Sequence, residues 1–139
     1  MEKKIAHLGI IQGVISRMAN NSLTIKQLSI GIVSAIFALG ATKESISKEL
    51  FYVAFLPGAA FWWLDAYFLR QERLFRKLYE AVCNSTEEPN FSMNTLPYSG
   101  QVAGYLRTMF SVTLLVFYGV IISAIVAFLI IVSKATIGA

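Results

Sequence analysis

The amino-acid sequence predicts an all-α membrane protein with an amphipathic N-terminal helix and a kinked transmembrane hairpin. The second span of that hairpin continues as a cytoplasmic helix, and a third transmembrane helix follows. Three observations lead there. Of 139 residues, 56% are hydrophobic and 14% charged, whereas an average soluble domain has roughly 45–50% and ~25%. The apolar excess is gathered into blocks, and Met109 to Ser133 is a run of 25 residues without a charge. Lysine and arginine cluster at the ends of these blocks, as topology-setting cations do. The whole chain, 1–139, reads as one polytopic domain.

In residues 1–20, Ile5, Leu8, Ile11, Ile15 and Met18 recur at three- and four-residue spacing, with Lys4, Gln12, Ser16 and Arg17 opposite. That pattern is an amphipathic helix, able to lie in the headgroup plane or to pack on neighbouring cytoplasmic helices. Its lone histidine, His7, reads as a residue of the polar border. Asn20-Asn21-Ser22 supplies turn and N-cap chemistry, predicting a break before the first span at 23–42. This span is the weakest, because Lys26 sits one turn inside it, and a re-entrant segment is the competing reading.

The second span, 50–69, carries Pro57-Gly58 at its centre, which predicts a kink through the lost backbone hydrogen bond. From Trp62 to Val82 there is neither glycine nor proline, so the helix is expected to leave the bilayer at Arg70 and run to residue 82. On this cytoplasmic-face helix Glu72, Arg73, Arg76, Lys77 and Glu80 form a charged surface, with Glu72–Arg76 and Arg76–Glu80 at i,i+4 spacing. Leu74, Phe75, Leu78 and Val82 make an apolar stripe that the N-terminal helix, another subunit or lipid must cover. Residues 83–100 are a polar loop with two prolines. The third span, 109–133, would cover ~37 Å, more than the ~30 Å hydrocarbon core. Gly31 and Ala35 in the first span, and Gly119, Ser123 and Ala127 in the third, form small-residue ladders suited to close helix packing in lipid.

Nine lysines and arginines (Lys3, Lys4, Arg17, Lys26, Arg70, Arg73, Arg76, Lys77, Arg107) fall on one side of this topology, and three (Lys43, Lys48, Lys134) on the other. The bias predicts a cytoplasmic N-terminus and a C-terminus on the opposite face of the membrane. On the cytoplasmic side Cys83 would stay reduced, and the acceptor triplets at Asn20, Asn84 and Asn90 would carry no glycan.

One histidine and one cysteine leave no metal-ligand cluster and no nucleophile–base set, so neither metal, cofactor nor enzymatic activity is expected. The net charge of +4 comes without a nucleic-acid motif, and no nucleic-acid partner is expected. Asp65 is the residue whose position demands explanation. It lies five residues before Arg70, or ~7 Å into the apolar region by helix rise. An ion pair with Arg70, Arg107, Arg17 or Lys26, a cation or proton site lining a pore, and a protonated acid are the three readings.

The run from Phe61 to Tyr79, F-W-W-L-D-A-Y-F-L-R-Q-E-R-L-F-R-K-L-Y, together with I-Q-G-V-I-S-R-M-A-N-N-S from Ile11 to Ser22, resembles small bacterial inner-membrane proteins of the RipA type. A looser similarity links it to the SLATT group of two-helix membrane effectors. The first resemblance implies a bacterial inner-membrane location, hence a periplasmic C-terminus, and a homo-oligomer, octameric in that family, assembled around the hairpin and without a known enzymatic activity, with Asp65, Arg70, Arg73 and Arg76 at matching positions. The third span lies outside the pattern.

Expected partners are the lipid bilayer, further copies of the chain and a cytoplasmic protein. A pore-like assembly or membrane effector in stress or defence is the leading expectation. A membrane scaffold recruiting a cytoplasmic partner through 70–100 is the alternative, and a holin-like lysis protein is a third.

Overall fold

In the computed structural model, residues 1–41 and 48–137 are described. Residues 42–47, which include Lys43 and the last residue of the first predicted span, and residues 138 and 139 lie outside the described residues, as do the side chains of 48–54 at the start of the second predicted span. Every regular element among the described residues is helical: α1 (Glu2–Ala41), α2 (Lys48–Asn84), the 3-10 turn Leu96–Gln101, α3 (Tyr105–Met109) and α4 (Val112–Ile137). Stretches within Glu2–Leu39 and Val112–Ile131 are long and apolar enough to cross a membrane.

The break expected at Asn20-Asn21-Ser22 is absent, and α1 is one helix of 40 residues, ~60 Å long. The reason lies in phase. Ile11, Ile15, Ile25, Ser29 and Val33 are all buried, so one stripe at helical spacing serves both the N-terminal segment and the apolar segment. Ser22, read as a cap, turns its hydroxyl to Asp65 in α2 instead. The helix α2 has 37 residues and runs unbroken through Pro57. One proline removes a single backbone hydrogen bond out of the many that a helix of this length makes.

The two long helices run antiparallel: Lys4 reaches the carbonyls of Cys83 and Ser85 at one end, and Lys26 reaches Asp65 further along. Lys4 thereby serves carbonyls that the C-terminus of α2 leaves without helical donors. Two apolar clusters form. Ile11, Ile15 and Leu78 are joined by Phe75, Tyr79, Val82, Met93 and Tyr98. The predicted stripe of α2 is thus covered by α1 and the loop of the same chain, and is not left for another subunit. The other cluster gathers Val33, Ala66, Leu114, Tyr118, Ile121 and Ile125 where α1, α2 and α4 meet.

The predicted third span begins later than expected. Met109 closes α3, Phe110 and Ser111 turn the chain, and α4 starts at Val112. The indole N–H of Trp62 donates to the Met109 carbonyl at 2.9 Å, taking up an acceptor that the end of α3 leaves free. The Tyr105 hydroxyl donates to the Trp63 carbonyl and ties α3 to α2. Burial pushes that phenol above its ordinary pKa.

Candidate functional site

Between the two apolar clusters lies one polar layer, built by three helices. Asp65 comes from α2 and is fully buried. Ser22 and Lys26, four residues apart, come from the facing side of α1. Tyr118 comes from α4. Lys26 Nζ lies 2.6 Å from Asp65 Oδ2 and 2.8 Å from Ser22 Oγ. The Ser22 hydroxyl donates to Asp65 Oδ1, and the Tyr118 hydroxyl donates to Oδ2 at 3.3 Å. The ammonium also lies 5.8 Å from the centroid of the Phe117 ring, within cation–π range. Next to the layer, buried Ser29 donates to the Ile25 carbonyl at 2.8 Å.

Both carboxylate oxygens are therefore occupied, and the layer is electrically neutral. At 18% exposure the Lys26 side chain is nearly withdrawn from water, and Asp65 has none. A carboxylate with no exposed surface and three donors on it presents no open face to a substrate. The geometry suits an ion pair that holds three helices in register, the use for which buried polar groups are best attested.

Of the partners considered for Asp65, Lys26 is the one the structure places on it. Arg70 and Arg107, singled out with Asp65 as ion-pair candidates, do not reach it: Arg107 is exposed, and the Nε of Arg70 has no hydrogen-bond partner among the described residues. Arg70 lies five residues past Asp65, more than a turn beyond the layer, whereas Lys26 sits at its level. On the charged helix, Glu72 pairs with Arg76 at 2.7 Å as spacing suggests, but Glu80 pairs with Lys77 at 2.7 Å rather than with Arg76. Arg76 is already held by Glu72, and Lys77 is the nearer neighbour at i,i+3. Arg73 makes no ion pair among the described residues.

The small-residue ladders take no part in packing within the chain. Gly31, Ala35, Gly119, Ser123 and Ala127 are all exposed, and a Cβ built on Gly31, Gly58 or Gly119 would meet nothing within 4 Å. Ser123 satisfies its hydroxyl on the Gly119 carbonyl at 2.7 Å. The pair Pro57-Gly58 lies inside continuous helix, and Gly58 lines a small apolar crevice with Phe55, Ala59, Trp62 and Ile122.

Reading the sequence alone misses Ser22, Ser29, Tyr118 and the burial of His7. A signal for the first two exists: Ser22, Lys26 and Ser29 stand at i, i+4 and i+7, a polar line on one face of an apolar helix. His7 is 1% exposed, not a border residue. Its ring lies 5.3 Å from that of Phe91, whose φ of 54° is the left-handed exception in the polar loop. The His7 Nε2 donates to the Ser92 carbonyl at 3.2 Å, while Nδ1 has no partner among the described residues. Lys4, His7, Glu87, Asn94 and Tyr98 help line a cavity of about 280 Å³ beneath this loop. No family model, curated protein or solved structure matches the chain.

Proposed function

We propose that this chain is a non-enzymatic protein of the bacterial inner membrane, with three spans, that self-associates and presents a helical stalk as a scaffold for a cytoplasmic protein. The observation that carries the reading is the continuity of α1 and α2 past the neutral Lys26–Asp65 layer. From Lys26 back to Glu2 there are 24 residues of unbroken helix, ~36 Å by helix rise. Over that length α1 is clamped to α2 by the Ile11, Ile15 and Leu78 cluster and closed by the loop 85–101. Such a stalk holds a binding surface away from the bilayer at a set angle. The second span is included because Asp65, near its end, finds a counter-charge that removes most of the cost of placing it there.

Scaffold is placed ahead of pore because the acid that a conduction path would use is enclosed by Ser22, Lys26 and Tyr118. The pore or effector reading retains one favouring observation. The exposed Gly119, Ser123 and Ala127 face of α4 is free to meet another copy, and a pore formed between copies would not need Asp65. Reporter fusions after Val82 and after Ala139 test the topology, with phosphatase activity expected only for the latter. Ion flux in liposomes then separates the two readings: none is expected for a scaffold, and flux through the full chain would move the pore into first place.

A further inference from the structure

The charges of this chain divide by position. Toward the free end of the stalk each cation has a partner: Lys3 on Glu88, Lys77 on Glu80, Arg76 on Glu72, and Lys4 on two carbonyls. Four arginines have no ion pair or hydrogen bond among the described residues, and all four border the apolar part of the molecule: Arg17, Arg70, Arg73 and Arg107. Their levels follow from contacts already given. Ser22 bonds to Asp65, and Arg17 and Arg70 each lie five residues beyond, toward the stalk, ~7 Å along the helix. Arg73 follows one turn later. Arg107 sits in α3 between Tyr105, which bonds to Trp63, and Met109, which bonds to Trp62.

The described carboxylates nearest them are already taken, and the two described ones outside ion pairs, Glu2 and Glu87, lie at the far end of the stalk beside Lys3 and Lys4. Asp65, Glu72, Glu80 and Glu88 are engaged by Lys26, Arg76, Lys77 and Lys3. The surroundings are those of a bilayer boundary. Leu106 and Phe110 flank Arg107 at 65% and 57% exposure, and Trp63 and Tyr67 are about half exposed at the same level. Amphipathic aromatics and exposed apolar residues beside cations are the composition of a helix seated among headgroups.

We propose that Arg17, Arg70, Arg73 and Arg107 form a belt that binds anionic phospholipid headgroups, whose phosphates supply the counter-charge the protein withholds. The guanidinium fork matches phosphate oxygens in pairs. The inference rests on the membrane reading above and adds a lipid class to it.

The test is native mass spectrometry of the full chain with phosphatidylglycerol and phosphatidylcholine of identical acyl chains, on wild type, on Arg70→Gln/Arg73→Gln/Arg107→Gln, and on Arg76→Gln as the paired control. Phosphatidylglycerol is expected to be retained more than about a hundredfold over phosphatidylcholine, falling roughly fivefold for each arginine removed. Arg76→Gln is expected to leave the preference unchanged, and millimolar inorganic phosphate to displace no lipid. Equal retention of the two lipids, an undiminished preference in the triple variant, or displacement by inorganic phosphate overturns the proposal. So does a triple variant that loses its oligomer mass while keeping the lipid preference, since an acidic face of a second copy would then be the occupant. If the triple variant does not fold, Arg107→Gln alone, at an exposed position, must show the fivefold loss. Insertion into pure phosphatidylcholine nanodiscs keeps the two readings apart: insertion without lipid preference defeats this inference alone, and failure to insert into any bilayer defeats both.

Discussion

Asp65 and Lys26 are each costly in an apolar helix and tolerable only together. An unpaired ion there costs a few kcal/mol, whereas the pair, with Ser22 and Tyr118 filling the remaining hydrogen-bonding positions, presents a neutral surface to the clusters on either side. Asp65→Asn keeps the shape but leaves an ammonium without a counter-charge. Because Lys26 keeps a little exposure, the loss is expected at the lower end for a broken buried pair, about 3 kcal/mol. Unfolding in detergent, followed through the fluorescence of Trp62 stacked on Tyr118, measures it. Lys26→Met/Asp65→Leu, which removes both charges, is expected to recover most of that loss, and a double variant as unstable as the single one would show that the pair is not what Asp65 serves. The demand for a partner at Asp65 was legible from its place in an apolar run. Its choice among four cations was not, because that depends on which residue of α1 stands level with it.

The two long helices are where periodicity informed most and capping chemistry misled. Spacing of Ile5, Leu8, Ile11 and Ile15 declares a helix, and Trp62 to Val82 declares another, yet the Asn20-Asn21-Ser22 signal predicts a break that does not form. Local cap propensity is worth about 1 kcal/mol, less than the burial of a continuous stripe with two contacts from Ser22 to charged partners. A stalk and a helix lying in the headgroup plane differ measurably. With Lys4 bonded to the Cys83 carbonyl at 2.7 Å, Lys4→Cys is expected to crosslink to native Cys83 through a short bismaleimide in intact membranes. A helix lying on the bilayer would leave the two cysteines unlinked.

For the molecule as a whole, folding and the proposed association use different faces. α4 packs on α2 through Leu114, Tyr118, Ile121 and Ile125, while Gly119, Ser123 and Ala127 face outward. Since nothing lies within 4 Å of a Cβ at Gly119, Gly119→Ala is expected to leave the fold intact and to stabilise α4 by about 0.5–1 kcal/mol. Gly119→Leu is expected to leave the fold intact too, but to reduce the oligomer to smaller species, because a large side chain keeps helix backbones apart. Mass measurement in nanodiscs checks this, and an unchanged mass for Gly119→Leu would move the contact between copies to another face.

Composition and periodicity were enough to establish a helical chain with apolar blocks, because the burial each block requires is written into its own residues. The same local information placed the candidate ladders, the charged helix and the unusual acid. Two things were decided only by the packed structure. The partner of Asp65, the burial of His7 and the covering of the Leu74–Val82 stripe depend on the register between α1 and α2, a relation between residues about forty or more positions apart that no local pattern encodes. The continuity of α1 depends on the same register, since the stripe that overrides the Asn20–Ser22 break stabilises a helix only once α2 lies against it.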